Sequence, residues 1–225
     1  MIAWLIGGGV LLALANRGGS SDYAKPGKAS PNLQALRGEA ARAGVSDDWA
    51  TFLGAVAHHE SRWVISAHND STSEVAASAS AFDRNAEKLS ECKHPRSAYV
   101  IGSGGWYGFL PANGIVSAFR GTPGICIDPA TIYDPWVSTL MAIAYAKNLQ
   151  GWGSFKRSNG TWLDLNRGWS VPGKMDIPRP KSDERFLKGL RAQNVPESFA
   201  HQKVGKLPDG WHAWSRLQLE GAPQV

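Results

Sequence analysis

The segment GAVAHHESRW, Gly54 to Trp63, sets two histidines, a glutamate and a serine at the end of an apolar run. Glu60 follows Val56 by four residues and Leu53 by seven. On a helix those three share a face, so Glu60 stands where the apolar stripe should continue. A carboxyl placed there loses hydration, which favours its neutral form. It also lies near a helix C-terminus, whose negative end disfavours ionisation. Both effects favour a protonated acid at neutral pH, the state that a general acid for a glycosidic oxygen needs. The bland alternative is a surface glutamate at a helix end, paired with Arg62 or a histidine.

Other chemistries fit the spacing poorly. A zinc site of the HExxH type needs a second histidine four positions on, but those positions hold Arg62 and Trp63. There is no GxSxG elbow for a serine nucleophile. The two cysteines, Cys92 and Cys126, form no CxxC pair. They suit a disulfide in an oxidising compartment or two buried thiols. A two-carboxylate glycosidase needs a partner for Glu60. Asp70, Glu74, Asp83 and Asp164 are available, none at a telling spacing. A sugar whose own hydroxyl attacks its anomeric carbon removes that need.

The net charge of +5 favours a polyanionic partner. The basic residues are scattered, with no dense run and no recognition-helix pattern, which argues against nucleic acid. Ten tryptophans suit either a core or flat faces for sugar rings and lipid.

Positioning Glu60 requires a core, and the periodicity predicts a mainly α chain. Residues 1–16 are apolar, short for a span of about 20 residues, and read as a membrane anchor, a signal peptide or an element buried on a partner. Residues 17–30 read as a flexible Gly/Ser/Lys linker. Ser30 and Pro31 open a helix with Leu33 and Leu36 on one face, ended by Gly44. Ser46, Asp47 and Asp48 open the next, with Trp49, Leu53, Val56 and Ala57 as its stripe. Residues 67–104 read as an irregular polar insertion with one short helix near Ala81–Leu89. GGWYGFLPANG is a glycine-punctuated loop. Asp134 and Pro135 start a helix whose stripe is Val137, Leu140, Met141, Ala144 and Tyr145. The expected domain is 31–172, followed by a basic extension, 173–225, with a short helix around Asp183–Ala192.

AVAHHESRWVISAH resembles the first motif of the soluble lytic transglycosylases, a goose-type lysozyme-like family. There an alanine-rich helix ends in Glu-Ser, followed by an aromatic and an alanine; Glu60, Ser61, Trp63 and Ala67 match. GWYGFLP is similar to the family's G-x-x-G-L-M-Q at Gly105 and Gly108, with Phe109, Leu110 and Pro111 after them. DPWVSTLMAIAY is similar to D-P-x-x-N-I-x-x-G-x-x-Y at Asp134, Pro135 and Tyr145. LNRG supplies Asn166 and Gly168 of Y-N-x-G. The four occur in the family's order, from about Asn32 to Pro172.

The resemblance implies a lysozyme-like helical domain that cleaves the MurNAc–GlcNAc β-1,4 bond of peptidoglycan and leaves 1,6-anhydro-MurNAc ends. It implies Glu60 as the single acid/base, with no metal and no cofactor. On the substrate side it implies Ser61, Gly105, Tyr107, Gly108, Phe109, Tyr145 and Asn166. Trp169, beyond the family's motif, either stacks on a sugar ring or closes the core. The implied partners are glycan strands, the membrane through residues 1–16, and other virion or envelope proteins; nucleic acid is not expected. The implied location is the membrane, with action in the periplasm or cell wall, including as a virion component. Pro111 stands where the family has Gln, and Leu165 where it has Tyr. Those departures and the insertion point to a divergent, bacteriophage-encoded member. They also keep open a lysozyme-type hydrolase with Asp83 or Asp70 as second carboxylate, and an inactive wall-binding or virion structural protein. A membrane-channel component working through residues 1–16 is a further alternative.

Overall fold

The computed structural model describes residues 31–90, 92, 94–119 and 127–218. The apolar N-terminal segment, the linker and Cys126 lie outside them, and so does the question of a Cys92–Cys126 bond. Helix α1 (Pro31–Arg42) starts on its proline and buries Leu33, Leu36 and Ala40. Gly44 turns the chain at φ +74, and α2 (Asp47–Ser61) follows. Its apolar residues are not confined to a stripe: Trp49, Phe52, Leu53, Ala55, Val56 and Ala57 are each 0% exposed. So α2 runs through the core and delivers Glu60 to the core's edge.

The region expected to be irregular is largely helical. After strand β1 (His68–Asn69) comes α3 (Thr72–Leu89), 18 residues long. Its first half, TSEVAASAS, has almost no large apolar residue and so no visible stripe, yet alanine is the best helix former. Only Ser78, Ala81 and Leu89 of α3 are buried, and Ser78 Oγ donates to Tyr99 O at 2.6 Å. Tyr99 closes the short α4 (Arg96–Tyr99). Strand β2 (Ser103–Gly104) pairs antiparallel with β1, setting His68 opposite Gly104. Helix α5 (Pro111–Phe119) then packs on α3.

Asp134 caps α6 (Pro135–Gln150), accepting from Val137 N at 2.8 Å. Here too the single stripe gives way to burial all round, from Trp136 to Ala144, because α1, α5, α8 and α10 surround it. The short α7 (Gly153–Arg157) leads to α8 (Trp162–Ser170), which opens on a capping box between Thr161 and Asp164.

The C-terminal part is integral to this core and no appendage. Helix α9 (Pro180–Ala192) lies along α2 at backbone contact: a Cβ on Gly189 would sit 2.5 Å from Ala55 O. Gln193 beyond it donates to Thr51 O at 3.1 Å. Farther on, Trp49 Nε1 donates to Gly205 O and Trp211 Nε1 to Ala43 O. Helix α10 (Ala213–Gln218) returns to α6. Among the described residues no helix is long and apolar enough to cross a membrane.

Candidate active site

Helix α2 ends with two consecutive left-handed residues that are not glycine, Arg62 at φ +56 and Trp63 at φ +63. Such backbone costs roughly 1–3 kcal/mol per residue unless its surroundings enforce it. Here they do. Trp63 Nε1 donates to Gly54 O at 2.7 Å, and Trp106 Nε1 donates to Trp63 O at 3.0 Å. Both rings are buried, so these tryptophans clamp the helix end and offer no open face to a sugar. Ser61 completes the clamp. Its Oγ lies 3.0 Å from Ala57 O and 2.9 Å from Trp106 O, tying α2 to the glycine loop.

That loop closes on itself through reciprocal 3.0 Å backbone bonds between Gly104 and Phe109. Gly105 (φ +76) presses against the carbonyl of Ile132, where any Cβ would collide. Gly108 (φ +63) faces the acid: a Cβ on it would stand 2.9 Å from Glu60 Oε2. Gly108 thus lets the loop backbone pass beside the carboxyl, and Gly105 lets it pass beside the Ile132 carbonyl.

Glu60 counts as exposed when its backbone is included, but its side chain is only 24% exposed. Among the described residues no hydrogen bond reaches its carboxylate. His59 Nδ1 is 3.6 Å from Oε1. Arg185 Nη1 donates to His59 Nε2 at 3.2 Å, which leaves Nδ1 to carry the proton of the neutral ring. Burial, then Arg185 and Arg62, pushes His59 down to about 4, so it is neutral at pH 7 and gives Glu60 no counterion. The carboxyl of Glu60 is pushed up to about 7, first by burial; Arg185 opposes the rise and Glu74 adds to it. Arg62 does not pair with Glu60. Its Nη1 lies 3.1 Å from His58 Nδ1, and burial together with Arg62 holds His58 down at about 4.

Aromatic rings stand behind the acid. Tyr145 O–H donates to Trp169 O at 3.2 Å, and its phenol is pushed up to about 12 by burial and by the Glu60 charge. Tyr107 and Phe109 are buried, and burial raises the Tyr107 phenol strongly. Trp169 is 9% exposed, with the rings of Tyr107, Phe109 and Tyr145 around it. Its Nε1 donates to Tyr107 O at 3.3 Å. It therefore closes the core behind the loop; the sugar-stacking alternative lacks an open face. Asn166 is also core: its amide donates to Ser182 Oγ at 3.3 Å, joining α8 to α9. Its Oδ1 is buried without a hydrogen-bond partner among the described residues.

The four carboxylates open at the sequence level separate cleanly. Asp83 is held by a bidentate pair with Arg96. Asp164 is spent on the Thr161 capping box and on Arg167. Asp70 acts on the Tyr133 phenol, and Glu74 is the one whose charge is felt at Glu60. Sequence spacing misses Arg185 and Lys188, which α9 brings to the acid from 126 positions beyond His59 in the case of Arg185. With His59, Glu60 and Arg62 they line an open pocket of about 410 Å³. Comparison with protein-family models, with curated proteins and with solved structures finds no match to this chain.

Proposed function

We propose that the protein is a peptidoglycan lytic transglycosylase with Glu60 as its single acid/base. The observation that carries this reading is the Glu60 carboxyl itself. Its pKa is held at about 7 by burial, with no hydrogen-bond donor or counterion in contact among the described residues, at the mouth of a pocket and against the left-handed backbone of Gly108. A carboxyl in that state donates its proton to the departing O4 of the GlcNAc as the C1–O4 bond of MurNAc breaks. The muramic C6 hydroxyl then attacks C1, and the Glu60 carboxylate takes the hydroxyl proton. One bond breaks, one forms, and the acid is regenerated with a 1,6-anhydro ring as product. Tyr145 and the buried rings of Tyr107, Phe109 and Trp169 back the loop, and Ser61 holds that loop to the acid's helix. Residues 1–16 supply membrane attachment in this reading, and a virion enzyme opening the wall locally suits the pairing of such a segment with a muralytic domain.

A second reading has one observation in its favour. Glu74 acts electrostatically on Glu60, and a second carboxylate is what an inverting hydrolase uses to activate water. Digestion of purified peptidoglycan, read by mass spectrometry beside Glu60→Gln, separates the two. Anhydro ends that vanish in the variant support the lyase. Reducing ends that incorporate labelled water support the hydrolase, and their loss in Glu74→Gln as well as Glu60→Gln assigns Glu74 as its base. No cleavage by the unaltered protein overturns both.

A further inference from the structure

The pocket beside Glu60 carries three cations, Arg62, Arg185 and Lys188, with Glu60 as its one acid. Their pairing within the protein is poor. Arg62 donates to His58 and Arg185 to His59, both neutral imidazoles at pH 7. Among the described residues neither arginine has a carboxylate within ion-pair distance. Lys188 Nζ is 3.8 Å from Glu184 Oε1, an oxygen that Arg191 already holds at 2.7 Å. Arg185 and Lys188 lie three residues apart on α9, and so on one face of it. Both are exposed. Guanidinium groups with neutral partners and an open approach are suited to bidentate capture of an anion.

Resting on the glycan-cleaving reading, we propose that Arg62, Arg185 and Lys188 form a subsite for a free carboxylate of the peptide stem on the muramic acid beside the scissile bond. On a stem-bearing strand the sugars are uncharged, because each lactyl carboxyl is tied up in the amide to its stem, so a cationic pocket next to the acid finds nothing to hold on those sugars alone. Its anions are the stem carboxylates and the phosphates of attached wall polymers. Those polymers occupy the muramic C6 oxygen, which the proposed reaction needs free. The stem hangs from the lactyl group and leaves C6 open. The subsite makes the enzyme prefer strands whose stems carry free carboxylates over strands whose carboxylates are blocked.

The test measures binding by the full-length Glu60→Gln protein, which does not turn strands over. Four soluble strand preparations are compared: three freed of phosphate polymers, with stems intact, with stem carboxylates amidated, or with stems removed by an amidase and the lactyl carboxylates so exposed capped as amides, and a fourth that retains the phosphate polymers on amidated stems. The expected result is a preference for intact strands of about tenfold, the size of one charge-assisted contact, that shrinks with added salt. Arg185→Gln with Lys188→Gln should abolish the preference, and Arg185→Lys with Lys188→Arg should keep most of it. Equal binding of intact and amidated strands overturns the subsite, as does a preference that survives the glutamine pair. Restoration of binding only by strands that retain phosphate polymers assigns the pocket to phosphate and overturns the stem. Cleavage by the unaltered protein is followed in parallel. Strands cut without stem preference refute the subsite and leave the lyase standing; a carboxylate preference without cutting does the reverse.

Discussion

Helix α9 takes part in two charged regions that are built on opposite rules. At its first turn Asp183 receives Arg167 through two bonds of 2.7 and 2.8 Å, and Arg167 also reaches Asp164 at 2.9 Å. The Asp164, Arg167 and Asp183 side chains are 4%, 12% and 16% exposed, and Thr161 adds further donors to Asp164. Each charge there has an opposite charge in contact. Fewer than two turns on, beside Glu60, Arg185 has only a neutral histidine as partner among the described residues, and Lys188, at 3.8 Å, shares the Glu184 carboxylate with Arg191. The first region locks α8 to α9. The second leaves a carboxyl short of donors and cations short of anions, the condition of groups whose partners arrive with a ligand.

The largest effect should come from removing the unmatched acid. Glu60→Gln keeps the shape and loses the proton; cleavage should fall by about 10²–10⁴-fold, the range for a positioned acid/base. Stability should move the other way. The folded value of Glu60 lies near 7 and above its ordinary 4.5, so ionising it opposes folding. Its contribution is complete below pH 4.5 and lost as pH rises through 7. The variant should match the parent in acid and exceed it above neutrality by up to about 3 kcal/mol. Urea midpoints at the two ends of that range check it. Cleavage by the parent should decline over the same upper limb, as the acid form is depleted.

Breaking the matched region should cost stability instead. Arg167→Ala leaves two largely buried carboxylates facing each other, and one-sided removal of such a partner costs roughly 3–5 kcal/mol. Arg185→Ala, at an exposed site, should stay within about 0.5 kcal/mol. Thermal melts of the pair test the contrast directly: similar losses would mean that α9 carries one network, not two.

Gly108→Ala sits between these extremes. The left-handed backbone disfavours any Cβ by about 1 kcal/mol, and here the methyl also meets Glu60 Oε2 at 2.9 Å. The carboxyl must give way, because the loop is pinned by Gly104–Phe109 bonds and by Ser61. Turnover should fall about tenfold or more while the melting point shifts by only a few degrees. An unchanged rate would show that the loop does not define the acid's position.

How much of this was legible beforehand differs between the regions for a physical reason. Glu60 was readable because its signal is local: a polar residue in register with Leu53 and Val56 on one helix. The helix starts at Pro31 and Pro135 are legible from their prolines, and that at Asp47 from its acidic first turn; Asp134 caps as expected, whereas Ser46 makes no side-chain cap bond and Ser30 lies outside the described residues. The first half of helix α3 is hard to read in the sequence because its alanines carry helix propensity without forming an apolar stripe. The burial of Tyr107, Phe109 and Trp169 is not legible in the sequence. Ring type is visible in sequence, but whether Trp169 meets solvent or Tyr107 depends on how the loop folds back. Arg185 and Lys188 had no local signature. Phe186, Gly189 and Leu190 mark the buried face of α9, yet only the close approach of Gly189 to Ala55 decides which end of α2 its flanking cations reach.

The smallest expected effect is the most informative about how the two sides of the pocket are joined. Arg185 contacts His59, not Glu60, yet its charge opposes the rise in the acid's pKa. Arg185→Gln removes that charge, so the proton on Glu60 should be held more tightly. The upper limb of kcat/KM, which reports the free enzyme, should move to higher pH. Arg185→Lys keeps the charge and should leave the limb near its original place, although it loses the planar fork. The shift should also shrink in high salt, since Arg185 is exposed and its field is screened. A limb that moves equally with lysine would trace the effect to His59 orientation and not to charge. A limb that moves with neither would make α9 a wall of the pocket and confine the tuning of Glu60 to burial and Glu74.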